Sequence, residues 1–375
     1  MRTGFRHNVS GSSRTHMKGS RTGRMKSMRK AYRHATWVKA LFLVGLAVLV
    51  VVASAVIMTI GQVPMTIGQV YDTVVDKIFP GLFPVDPLVT HVVWKIRLPL
   101  IVGAILAGAG LGLCGCVMQT VLKNPMASPF TLGISSGAHF GVSIAAVFGV
   151  SVMGGPYLMV GNAFVFALLC SGCIIALSML RGATSETLVL AGIAVNYLFQ
   201  ALNELMSYLA TDEQKTLMSY WGMGSLNDLN WRSVLFMGVV SLVCIGLLYA
   251  KSWDLNLMTV GDESASSMGV NPRRTRIFVM VVASLLVSTV VAFIGVIGFI
   301  GLIAPHIGRL VIGNDHRYLV PASCGIGAAL LLIANAIAMN ALGTSVIPTG
   351  IVMSILGVPL FLYLILKGKR REYWT

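Results

Sequence analysis

Charge is scarce in this chain. Of its 375 residues only 11% are Asp, Glu, Lys or Arg, where a soluble domain carries roughly 25%. A water-covered globule is therefore excluded. Acid is scarcer still: 13 carboxylates stand against 28 Lys and Arg. No G-x-x-x-x-G-K-[ST] occurs anywhere, so the chain does not hydrolyse a nucleotide by the P-loop route. H-E-x-x-H and paired carboxylates are missing as well, so no catalytic residue is named and no metal site is expected. The six cysteines all lie in apolar runs and imply no disulfide framework. Cys170 and Cys173 share a helix face, half of what a metal site needs, but packing as small polarizable residues is the plainer role.

What is abundant is hydrophobic length. Apolar residues make up 56% of the chain and mean hydropathy is +0.81. Runs of roughly 20 apolar residues, the length a bilayer core demands, alternate with short polar stretches. They predict spans at 37–60, 98–122, 131–150, 157–180, 188–209, 233–250, 277–297, 298–312, 319–342 and 349–366. The fold class is all-α, a polytopic integral membrane protein of about ten transmembrane helices in a domain over 37–375. With ten crossings and an inner N-terminus, 23 of the 28 basic residues fall on the inner side, leaving Lys77, Lys95, Arg97, Lys215 and Arg232 outside. The acids divide evenly, which is the signature of the positive-inside rule. A multi-pass protein of the cell (cytoplasmic or inner) membrane with both termini cytoplasmic is expected.

Residues 1–36 are a separate matter. Eleven basic residues and no acid lie within 1–40, and such a segment cannot bury enough surface to fold alone. A disordered cytoplasmic tail lying on anionic lipid headgroups fits; an organelle transit peptide, also Arg- and Ser-rich, is the rival. Nucleic acid is not an expected partner.

Inside the spans, Gly110-Leu-Gly112-Leu-Cys-Gly115 matches the dinucleotide fingerprint but follows no strand. The overlapping Gly108-x-x-x-Gly112 reads instead as a close helix–helix contact. In span five, Asn196, Gln200, Asn203 and Ser207 fall on one helix face. Beside them Glu204 is the one carboxylate within a span, costly there unless paired or wetted. This face is read as lining a translocation path, with Gln119 of span two as a weaker candidate; interhelical hydrogen bonding is the alternative. Pro125 ends span two after a capping Asn124, and Pro305-His306 is expected to interrupt span eight. Between spans six and seven, residues 261–269 read as a short helix bounded by Gly261 and Gly269, with Asp262 and Glu263 in its first turn, where the dipole favours anions.

Four segments in order give these features a family. They are Arg97-Leu98-Pro99 with Lys123-Asn124-Pro125-Met126-Ala127-Ser-Pro129 and Gly133-Ile-Ser135-Ser136-Gly137; Trp221-Gly-Met223-Gly224-Ser225-Leu226; Gly261-Asp262-Glu263-Ser-Ala265-Ser-Ser-Met268-Gly269 with Gly298-Phe299-Ile-Gly301-Leu302-Ile-Ala-Pro305-His306; and Pro348-Thr-Gly350 with Gly357-Val-Pro359. The chain resembles the FecCD/BtuC-like permeases of ABC importers, which take up iron-siderophore, haem and cobalamin. The resemblance implies a permease of ten helices, with helices 2–5 and 7–10 related by an inverted repeat. It also implies a second permease subunit in a homodimer of the type II importer kind, two cytoplasmic ATPase subunits that carry ATP and Mg, and an extracytoplasmic substrate-binding protein. The permease itself binds no cofactor and is not an enzyme. Gly261, Asp262, Glu263, Ala265, Met268 and Gly269 would couple to the ATPase, while Lys95 and Arg97 would dock the binding protein. Arg273, Arg274 and Arg276 are read as topology determinants. The chain departs from the family pattern at Leu100, Asn335 and Met339, where basic or paired charged residues are usual, so a less electrostatic docking is expected. An ion-coupled secondary transporter using Glu204 is the alternative function.

Overall fold

A computed structural model describes the backbone of residues 13–61, 63, 65–341 and 346–367, and most side chains from residue 36 onward. Among them every regular element is helical. In chain order these are α1 (Ser13–Thr59), α2 (Ile67–Ile78) and α3 (Pro87–His91), which continues through a π-helical stretch, Val92–Arg97, into α4 (Leu98–Val121). Next come α5 (Ile134–Phe148), α6 (Leu158–Met179), α7 (Ser185–Leu209), α8 (Asp212–Gly222) and α9 (Trp231–Ala250). Two short helices, α10 (Ser252–Val260) and α11 (Asp262–Ser267), precede α12 (Pro272–Ile294), α13 (Ile300–Ile312), α14 (His316–Asn340) and α15 (Thr349–Lys367). The described residues up to Gly45 form one compact unit and those from Leu46 onward another.

Seven of these helices are long and apolar enough to cross a membrane, and α5, α13 and α15 are shorter apolar helices. Together they match the ten expected spans closely. Three expectations need correction. The helix of the second span begins at Pro87, because Lys95 and Arg97 mark no helix end and the backbone carries on through them. Pro305 lies inside α13 without interrupting it; the helix is short because it starts only at a left-handed Phe299 (φ 66°). Finally, residues 13–36, expected to be disordered, are helical as part of α1. Lys, Arg, Met and Ala are good helix formers and no proline intervenes. Residues 1–12 of that expected tail lie outside the described residues.

Burial sorts the helices into centre and rim. In their most apolar stretches, 78% of the α4 residues, 72% of α12 and 61% of α14 are buried, against 17% in α1. The rim exposes Val51, Leu190, Leu242 and Leu362; in a bilayer such residues face lipid chains at no hydrophobic cost. The centre is held by close backbone approach. A Cβ on Gly108 would lie 2.4 Å from the Gly327 carbonyl oxygen, and one on Gly327 would lie 2.1 Å from that of Gly108. The Gly108/Gly112 ridge therefore meets α14 through glycine, as small-residue membrane packing requires.

The two halves echo each other at their start: a long helix, α4 or α12, is followed by a short one, α5 or α13. Each short helix starts at a residue of positive φ, Gly133 at 83° and Phe299 at 66°.

Candidate functional site

Side-chain bonds tie the α10–α11 segment to the helix ends around it. Gly261, at φ 138°, turns the chain between the two short helices. Gly269, at φ 87°, closes α11 in a Schellman motif: its N–H donates to the Ser266 carbonyl (3.0 Å) and that of Val270 to Ala265 (3.0 Å). Both glycines thus bound the helix where the sequence put them. Ala265 is fully buried and anchors α11 to the bundle, whereas Glu263 and Met268 are exposed.

Asp262 faces inward to a cluster of cations. Its carboxylate meets Lys123 Nζ at 3.0 Å and Arg276 Nη2 at 3.0 Å. Partial burial pushes its carboxyl up, yet the hydrogen bonds and charges of Arg276 and Lys123 outweigh that and hold it below the ordinary carboxylate range. Arg276 is itself buried. Its Nε donates to the Val121 carbonyl at the end of α4 (2.8 Å) and its Nη1 to the Ala183 carbonyl between α6 and α7 (3.1 Å). The expectation that Arg276 only sets topology is corrected: a buried guanidinium must spend its donors inside the protein, and this one joins three elements to α12. The signal was in the sequence. Counting Arg276, 280, 283, 287, 290 and 294 traces the i, i+3/i+4 stripe that is buried along α12.

A second network ties α10 to the neighbouring helix ends. Asn256 Nδ2 donates to Asp315 Oδ1 (2.9 Å), while Asn256 Oδ1 accepts from the His316 backbone N–H (2.8 Å). His316 Nε2 lies 2.7 Å from Thr120 Oγ1 of α4. Asp315 also caps α14 and pairs with Arg317 at 2.7 Å. Hydrogen bonding to Arg317 lowers its carboxyl to about 2.

The polar face of α7 divides in two. Asn196 accepts a hydrogen bond from Ser136 Oγ of α5 (2.7 Å). Asn203 donates to the Ser136 carbonyl (3.0 Å) and accepts from Ser143 Oγ (3.1 Å). Both asparagines hold α5 to α7, as the alternative reading had it. Gln200, Asn203 and Glu204 also line a cavity of about 340 Å³, together with Ser135, Ser136 and His139. His139 stacks on Trp221 with ring centroids 5.9 Å apart. Ser207 is half-buried and outside that lining.

Two expected site residues are tied to backbone carbonyls. Gln119 is buried between α4 and α13: its Nε2 donates to the Gly301 carbonyl (3.2 Å), and its Oε1 accepts from Arg309. The reason is Pro305. A helical residue at 305 would normally donate to the Gly301 carbonyl, proline has no N–H, and Gln119 supplies the missing donor. Arg97, expected on the docking face, is likewise buried and donates to the carbonyls of Ile57, Met58 and Val63. The last carbonyls of α1 have no intrahelical partner, and the guanidinium takes them. Lys95 is exposed. Where the family usually carries an Asp–Arg pair, Asn335 is buried, accepts from Thr349 Oγ1 (3.3 Å) and donates to Met339 Sδ (3.4 Å). Cys170 is buried and donates to the Gly133 carbonyl (3.2 Å), while Cys173 is exposed.

Ten apolar helices around a glycine-packed centre, with an anchored two-helix loop at one end, define a multi-pass membrane transport subunit. Residues 45–367 match the FecCD transport family, and the chain belongs to it. A protein described as an ABC transporter permease, from Methanocaldococcus jannaschii, is 44% identical over 75% of this chain and 83% of its own length. The hemin transport system permease protein HmuU of Yersinia pestis is 39% identical over 75% of this chain and 85% of its own. A solved structure described as an inward-facing conformation of a metal-chelate type ABC transporter superposes with a TM-score of 0.77. It is 31% identical and covers 88% of this chain and all of that one. The chain is thus the permease component of an ABC importer, a transport subunit of the inner membrane. That displaces the reading of Glu204 as the ion-coupling group of a secondary transporter.

Proposed function

We propose that this permease, as a homodimer with two ATPase subunits and a binding protein, imports an iron chelate, haem or corrinoid. ATP and Mg are held by the ATPases and this chain binds no cofactor. Residues 261–269 dock on the ATPase at the cytoplasmic face, and both termini lie on that side with the 23 inner basic residues. The observation that carries this reading is the construction of α11. A six-residue helix presents Glu263 and Met268 outward while Asp262 and Ala265 lock its other face to the bundle. An exposed loop with no mechanical task would not need both a buried anchor and two cationic ties. Cargo would pass along the face carrying Gln200, Asn203 and Glu204, which the cavity beside His139 supports.

The test is reconstitution in proteoliposomes with the ATPase and binding-protein subunits, after mass spectrometry has identified the compound bound to the purified binding protein. ATP-dependent uptake that is abolished by reordering residues 262–268 supports the reading. Uptake driven by an ion gradient without ATP would sink it.

A further inference from the structure

Each tie made by Arg276 goes to a different element. It sits on α12, takes Asp262 of α11 through Nη2, Val121 of α4 through Nε and Ala183 of the α6–α7 turn through Nη1. Its side chain is 3% exposed, against 40% for Asp262 and 36% for Lys123. The Lys123 pair is therefore solvated and of small value, whereas the Arg276 bonds are shielded from water. Two of the three non-glycine residues with positive φ among those described, Lys123 at 48° and Ala183 at 53°, belong to the same cluster. Such conformations are strained and persist only where the surroundings hold them. Here they aim the Lys123 ammonium and the Ala183 carbonyl at the charges of Asp262 and Arg276.

We propose that Arg276 is the positioning residue of energy coupling: it fuses α11, the end of α4 and the α6–α7 turn, so that a displacement of α11 reaches the ends of three spans at once. This rests on the coupling role of 261–269 proposed above. A guanidinium suits the task and an ammonium does not. Three acceptors in different directions need the planar fork, and Lys offers one point charge on a flexible stem. Among the described residues, no other side-chain bond links α11 to the α6–α7 turn, which makes that turn the place to look.

The experiment uses the full importer complex with Cys173→Ser, spin-labelled at Met268→Cys on α11 or Leu180→Cys beside the turn; both positions are exposed. Pulsed electron–electron resonance then reads the distance between the two copies of each label before and after trapping with ADP and vanadate. In the complex with Arg276 intact, both distances should shift on trapping. With Arg276→Gln, and equally with Arg276→Lys, the Met268 distance should still shift and the shift at Leu180 should be lost, while the ATPases remain bound. A Leu180 shift in both variants equal to that of the intact complex overturns the proposal. Rescue by Arg276→Lys alone overturns it too, since a simple ion pair would then suffice. Should the Arg276 variants fail to assemble, Asp262→Asn gives the decision: it leaves the bonds to Val121 and Ala183 in place, and a retained Leu180 shift there overturns the proposal. If the Met268 distance does not move in the intact complex, it is the coupling role of α11 that fails, a distinguishable result.

Discussion

A guanidinium taken out of water is costly unless its donors all find acceptors. Among the described residues two are buried, at opposite ends of α4, whose 24 residues span about 36 Å; Arg97 spends its donors on backbone carbonyls, Arg276 on two carbonyls and the Asp262 carboxylate. Arg97 collects those left over where α1 ends; Arg276 collects those where α4 and the α6–α7 turn end. Arg97→Ala should therefore behave as a structural lesion, stranding buried carbonyls at about 1–3 kcal/mol each, with a clearly lowered melting temperature in detergent. An unchanged melting temperature combined with lost binding-protein affinity would return Arg97 to the docking face. Asp315 gives a pH signature. Its folded carboxyl, near 2, lies below the ordinary value of 3.8, so its contribution is full above about pH 4. That contribution, on the order of 2 kcal/mol at its upper bound, is lost as pH falls toward 2. Asp315→Asn should flatten this part of the acid stability profile of the purified protein; a profile that keeps its slope contradicts the assignment.

At the scale of elements, hydropathy made the spans legible because each crossing must be apolar along its whole length, whatever its neighbours do. Position within the bundle was not legible in the same way. A polar side chain in a span has two uses, lining a path or joining helices, and composition does not distinguish them. Asn196 and Asn203 turned out to join α5 to α7, and only Gln200, Asn203 and Glu204 reach the cavity. The bond of Gln119 was not legible because its partner is a carbonyl that Pro305 leaves bare, 182 positions away in the chain. Arg276 was hidden among three arginines, though the buried stripe of α12 runs through it alone. The Pro305–Gln119 relation makes its own prediction. Gln119→Leu should cost roughly 1–3 kcal/mol by leaving the Gly301 carbonyl unpaired, and markedly less when combined with Pro305→Ala, which restores the N–H. Additive losses in the double variant, read from thermal melts, would show that the two residues are independent.

For the whole molecule, removing Arg97 from the exposed cations expected outside leaves Lys77, Lys95, Lys215 and Arg232, with Lys95 the remaining candidate of the expected docking pair. Binding-protein affinity should accordingly change little between low and moderate salt, and a steep loss over that range would contradict it. Everything else turns on the side of the membrane that α11 occupies. The direct measurement is reaction of Met268→Cys, in a Cys173→Ser background, with a membrane-impermeant maleimide in intact cells and in inverted vesicles. Labelling in inverted vesicles only, suppressed when the ATPase subunits are bound, is the predicted result. Labelling from outside intact cells would contradict the account at its centre.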